Sequence, residues 1–267
     1  GGDPIWERVV EKNKRFLTIE EYYKKKYYQL DSPMLFWLIT RVLNRAKVLV
    51  TYNQFFRDFY NNYFGVPADK IRIIKNPVFK RESASTVLPN NPIILFGGRF
   101  VSYKNLALVM RAFDVVRQKI GTGRLWLIGD GPEKENLLLL KQRMSSFAHI
   151  TFQPKVTQDK LFEYIRQSAC SIAPALNEFN PNFILESLSL GKPVIISRGN
   201  GLSIELPEQF LFDPFNQHEL ETRLLAVFDP QNYVQMVSTI DQIPMNQTWG
   251  KVTDFHLSLI TEMVNQS

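Results

Sequence analysis

What this sequence lacks narrows it before any motif is read. It holds a single cysteine, Cys170, so no disulfide can form within the chain and a reducing, cytoplasmic setting is the default. Its three histidines, His149, His218 and His256, have no metal-ligand spacing, and no serine or cysteine nucleophile can be matched with a base. No run approaches the roughly 20 apolar residues of a membrane span. The best stretch, Met34 to Leu43, is cut by Arg41. There is no internal repeat and no low-complexity tract.

What is present is a globular composition: 267 residues, 45% apolar and 13% aromatic, long for one core and comfortable for two. The net charge of +6 suits a protein that meets anions, and at this level nucleic acid, anionic lipid and a nucleoside diphosphate are all compatible. The chain starts at Gly1 rather than Met, which leads us to expect that it begins inside a longer polypeptide.

In order, Gly1 to Arg8 reads as a turn entering a polar helical segment. The basic, aromatic Glu21 to Tyr28 reads as a solvated helix with its tyrosines turned inward, or as a contact for a membrane surface or nucleic acid. Ser32-Pro33 starts an amphipathic helix to about Ala46, Lys47 to Thr51 reads as a buried strand, and Asn53 to Phe64 as a helix closed by Gly65. Lys70 to Ile74 is a short strand. With Ser83, Ser85, Pro89 and two asparagines, residues 81–91 have linker composition.

Beyond the linker the pattern becomes regular. Strands are expected at Pro92–Phe96, Arg124–Ile128, Ile150–Phe152, Cys170–Ala173 and Val194–Ser197, with helices at Asn105–Lys119, Glu133–Met144, Lys160–Ser168, after Pro181, and at Gln217–Phe228. Strands alternating with helices across short loops specify a doubly wound parallel sheet, covered on both faces. Asn232 to Ser267 adds one or two helices.

The chemistry concentrates between Glu178 and Val194. Asn180 is placed to cap a helix, Pro181 suits its first position, and Gly191 can end it with positive φ. The amides of Asn182, Phe183 and Ile184 would then point out of a helix start, which favours a phosphate. Glu186, four residues past Asn182, accepts hydrogen bonds only and suits the two hydroxyls of a ribose; Glu178 could do the same for a sugar. After the first strand of the regular half, Gly97-Gly98 lets backbone approach a ligand, and Arg99 and Lys104 stand five residues apart across the loop. Gly129-Asp130-Gly131-Pro132 is a structural turn first, because it lacks the third glycine of a dinucleotide fingerprint. Gly199-Asn200-Gly201 likewise reads as a turn.

Glu178 and Glu186, separated by seven residues and followed by Gly-Lys-Pro-Val-Ile, resemble the E-x7-E signature of retaining glycosyltransferases of the GT-B fold in family four. Arg99 and Lys104 resemble that family's Gly-Arg…Lys-Gly motif, with Asn105 in place of the second glycine. Where many members carry Glu-Gly-Phe-Gly, this chain has Glu178-Phe179-Asn180-Pro181.

The resemblance implies a Rossmann-like donor domain at 92–229, a partial second α/β domain at 1–80 lacking its first part, and final helices at 230–267 returning to that first domain. It implies catalytic roles for Arg99 and Lys104 on the leaving diphosphate and for Glu178 beside the donor sugar. Donor binding would fall to Gly98, Lys155, Val156, Asn182, Phe183, Ile184 and Glu186. The partners it implies are a nucleotide-sugar donor and a glycan or lipid-linked acceptor, with a peripheral membrane contact at the inner face compatible, no nucleic acid, and no metal or other cofactor. A nucleotide-sugar epimerase of similar architecture and a non-catalytic nucleotide-sugar-binding protein are the alternatives.

Overall fold

The computed structural model describes residues 2–12, 15–179 and 181–265. The opening part runs α1 (Pro4–Glu11), α2 (Ile19–Lys24), α3 (Tyr28–Asp31), α4 (Pro33–Arg45), β1 (Leu49–Thr51), α5 (Gln54–Phe64) and β2 (Ile71–Ile73). After β3 (Val78–Phe79) come β4 (Ile93–Gly97), α6 (Leu106–Ile120), β5 (Arg124–Ile128), α7 (Lys134–Gln142), β6 (Ile150–Gln153) and α8 (Gln158–Gln167). Then follow β7 (Cys170–Ala173), α9 (Asn182–Ser189), β8 (Val194–Ser197), β9 (Leu211–Phe212), α10 (Gln217–Phe228), α11 (Pro230–Gln242), β10 (Asn246–Gln247) and α12 (Trp249–Asn265).

Six of these strands form one parallel sheet in the order β6-β5-β4-β7-β8-β9. The chain steps outward from β4 through β5 to β6, then crosses to the other side for β7. That reversal leaves a crevice at the carboxyl ends of β4 and β7, where open α/β sheets receive ligands. β7 and β8 are buried at every position, as strands covered on both faces must be. The main core gathers Ile94, Phe96, Phe113, Leu125, Ile172 and Ile195 with residues of α10 and α11.

A second core fills the opening part, with Ile5, Trp6, Tyr22, Tyr23, Phe56, Phe59 and Phe64. Val101, Tyr103 and Leu176 from the sheet side join it, so the two cores touch. The tyrosines of the basic stretch do turn inward: Tyr22 and Tyr23 are fully buried while Lys24, Lys25 and Lys26 face solvent. Asn53 caps α5 by accepting from the Phe56 amide at 3.0 Å, and Gly65 ends it at φ 64°.

Two expectations need correcting, and some short strands were not foreseen. α1 is not a polar helix: Asp3 accepts from the Ile5 and Trp6 amides, and Ile5, Trp6, Val9 and Val10 are buried on one face. β1 is only half-buried, since it pairs with β2 alone and Thr51 is its one buried residue. On α4, as an amphipathic helix should, Phe36 and Leu43 pack against the second core while Trp37 faces solvent. The short strand β9, and the antiparallel pairing of β3 with β10, were not expected.

Candidate active site

Helix α9 begins at Asn182, with Pro181 flanking it outside the first helical position; Asn180, expected as the cap, lies outside the described residues. Gly191 leaves the helix at φ 70° as its sequence position requires. The Ile184 amide is not free as expected, because it donates to the Pro181 carbonyl at 2.9 Å. Asn182 and Phe183 open the helix, at its positive end.

Three cavities run side by side here. The first, about 210 Å³, is lined by Asn76, Arg81, Gln158, Asn182, Glu186 and Trp249, among others. The second, about 200 Å³, lies between Phe96 and Gly97 at the end of β4, Ala173 at the end of β7, and Asn182 to Ile184, with Lys104 and Glu178 on its wall. The third, about 180 Å³, lies on the side of the opening part, lined by Glu7, Tyr52, Tyr103, Asn177 and Phe179, again with Lys104 and Glu178. Asn182 belongs to the first and second cavities, and the Lys104–Glu178 pair to the second and third.

Lys104 reaches the site from a short 3-10 turn, Ser102–Lys104. The next residue, Asn105, sits in the left-handed region at φ 51°, a conformation open to glycine and tolerated by asparagine. Its side chain donates to the Pro214 carbonyl at 2.8 Å, which holds the turn. Lys104 Nζ meets Glu178 Oε1 at 2.5 Å, and Glu178 is buried. Arg99 is exposed and lines none of these three cavities.

Glu186 accepts from Gln158 Nε2 at 2.8 Å, and burial pushes its carboxyl above the ordinary value. Arg81, whose guanidinium lies 4.9 Å over Phe79 and 5.1 Å over Phe162, partly offsets that rise. Gly98 holds φ 159° at the exposed end of β4. Lys155 is exposed just past β6, while Val156 packs with Leu161 and Phe183 against the cluster beneath α8. Asp130 turns back on its own loop, accepting from the Gly131 amide at 2.9 Å, as a structural turn does. Asn200 likewise bridges its turn, accepting from Leu202 and donating to Ser197.

The loop carrying Glu178 is packed from below by Gly201, where an added Cβ would strike the carbonyl oxygens of Glu178 and Phe179. From the other side the Phe56 ring stacks on Phe179 at 4.4 Å. Sequence inspection brought Lys104, Glu178, Asn182, Phe183, Ile184 and Glu186 to one groove. It did not find Gln158, Arg81, Glu7 or Tyr52, none of which belongs to a local pattern. Among the described residues no group of three or more His, Cys, Asp or Glu could hold a metal ion.

Comparison with known proteins places this groove in context. Residues 78–239 match the family described as glycosyl transferases group 1. An uncharacterised glycosyltransferase of Haemophilus influenzae is 28% identical over 173 residues, covering 60% of this chain and 48% of that one. Sucrose-phosphate synthase of Thermosynechococcus elongatus superimposes with a TM-score of 0.74 at 19% identity, covering 94% of this chain and 67% of that one. HepE of Anabaena, solved in complex with UDP-glucose, gives 0.73 at 15% identity, covering 88% and 69%. At those identities the likeness shows the fold, the Rossmann-like architecture of GT-B glycosyltransferases. The chain spans about half or less of the length of the curated relatives it matches.

Proposed function

The chain belongs to the glycosyl transferases group 1 family, and from that premise we propose that it moves a sugar from a nucleotide-sugar donor to an acceptor with retention of anomeric configuration. The acceptor class is a glycan, a lipid-linked glycan or another cell-envelope precursor. One observation carries the reading: Glu186 and Glu178 stand in neighbouring cavities joined at the start of α9. In it the nucleoside lies along Glu186 and Gln158, the diphosphate meets Lys104 and the Asn182 and Phe183 amides, and the sugar reaches Glu178.

The chemical difficulty is departure of a nucleoside diphosphate while positive charge grows on the anomeric carbon. Donors already aimed at the leaving group lower that barrier without reorganising. Lys104 and the two amides are placed for this, and exposed Arg99 closes on the diphosphate from the loop above. Glu178, an acceptor of hydrogen bonds, holds sugar hydroxyls. These cations supply the charge that a metal would otherwise bring, so donor binding proceeds in chelator.

The decisive experiment is calorimetry with UDP, GDP and ADP in EDTA, followed by product analysis with the sugar-bearing form of the tightest binder. Binding of one diphosphate and transfer with retention support the proposal. No binding of any of the three, or an epimerised free donor as product, overturns it.

A further inference from the structure

The third cavity has no role in donor binding as described, yet it shares its wall with Lys104 and Glu178. Its position follows from local packing. Asp3 caps α1, and the Trp6 ring packs against Tyr103 at 5.5 Å, which docks the helix on the turn that carries Lys104. Glu7, one residue beyond Trp6, is thereby brought to the lining of the same cavity as Glu178. Tyr52 adds a partly exposed phenol, and Phe179 and Tyr103 add ring surface.

The charge balance is one-sided. Two carboxylates, Glu7 and Glu178, line the cavity, and the one cation among the described residues lining it, Lys104, is already paired at 2.5 Å. Burial, and then Glu11 and Asp3 nearby, hold the Glu7 carboxyl above the ordinary value, so further negative charge is resisted here. A phosphate or carboxylate would be repelled. A ring bearing several hydroxyls would satisfy both carboxylates, since each accepts only, and would lay its apolar face on Tyr103 or Phe179.

Resting on the transferase reading, we infer that this cavity is the acceptor subsite, and that it takes an uncharged, hydroxyl-bearing sugar unit held by Glu7. The unit that receives the new linkage is therefore neutral, whatever is attached farther along the acceptor.

The test is ligand-observed saturation-transfer NMR on the chain saturated with whichever of UDP, GDP or ADP binds tightest. The probes are the methyl glycosides of glucose, galactose and mannose, with glucose 6-phosphate as the anionic comparison. At least one neutral glycoside is expected to bind, and glucose 6-phosphate to bind at least tenfold more weakly. Glu7→Ala should weaken the neutral probe about tenfold or more, the usual scale for losing hydrogen bonds to a charged group. Nucleotide affinity in that variant should change less than about twofold, which also reports that the fold is intact. Glu7→Gln keeps the shape and should narrow the gap between neutral and anionic probes. Nucleotide binding with no neutral glycoside bound, equal response to Glu7→Ala and native chain, or unchanged discrimination in Glu7→Gln each overturns the subsite. Failure to bind any nucleotide instead overturns the donor reading beneath it.

Discussion

Lys104 and Glu178, 74 residues apart in sequence, meet at 2.5 Å on the wall between two cavities. Under the proposed function, the cation that meets the diphosphate is thus held by the carboxylate that meets the sugar, and a bound donor has to exchange that contact for its own oxygens.

Removing either partner should therefore have opposite effects. Glu178→Ala releases Lys104 and should leave nucleoside diphosphate binding unchanged or tighter, while weakening the nucleotide sugar. Lys104→Ala leaves a buried carboxylate facing the phosphates. Combined with Arg99→Ala it should weaken diphosphate binding by about two orders of magnitude or more. Calorimetry on both ligands checks the pattern, and unchanged affinity in the double variant would remove those cations from the site.

Glu186 should matter to nucleotide and nucleotide sugar alike, because both carry the ribose. Its carboxyl is raised by burial, so it gains its proton at higher pH than an ordinary glutamate and loses the capacity to accept from two hydroxyls. Affinity for the diphosphate should accordingly fall as pH drops, beginning above the ordinary value of 4.5. Glu186→Gln should bind weakly at all pH and lack that acid limb in a titration of affinity against pH.

A structural carboxylate gives a different acid response. Arg198 grips Glu219 with two bonds, at 2.7 and 3.0 Å, and holds its carboxyl down at about 2. The stabilisation is present above the unfolded value, near 4.5, and is lost as pH falls toward the folded one. Thermal midpoints of native chain and Glu219→Gln should differ at pH 6 and converge as the pH is lowered toward 3. A constant difference over that range would refute the assignment.

Association should occur through the outer face of α4, where Met34, Trp37, Leu38 and Val42 are all at least half exposed. Contiguous apolar surface of this kind drives contact between molecules. Light scattering should report oligomers or aggregates for the chain, and Trp37→Glu with Leu38→Lys should restore the monomer without altering nucleotide affinity. A native chain that is monomeric at high concentration would sink the prediction.

The regular half was legible because its strands are long enough to show an apolar run and its turns fall between them; Arg124–Ile128, Cys170–Ala173 and Val194–Ser197 match their expected bounds. β9 escaped because Leu211–Phe212 is too short to carry a period, and its place at the sheet edge depends on pairing with β8. α1 read as polar because the partner for its buried face, Tyr103, lies almost a hundred positions away. The chemistry of the site was legible where motif and local geometry coincide, at Glu178 to Glu186. The internal partners of both glutamates were not: Lys104 and Gln158 become neighbours only through the crossing from β6 to β7.

The stack of Phe56 on Phe179 ties α5 of the opening part to the loop beside Glu178, whose underside is closed by Gly201. A rotation of one core against the other must therefore either part those rings or drag the glutamate along. The relative posture of the two cores and the position of the Glu178 loop are thus linked through one pair of stacked rings.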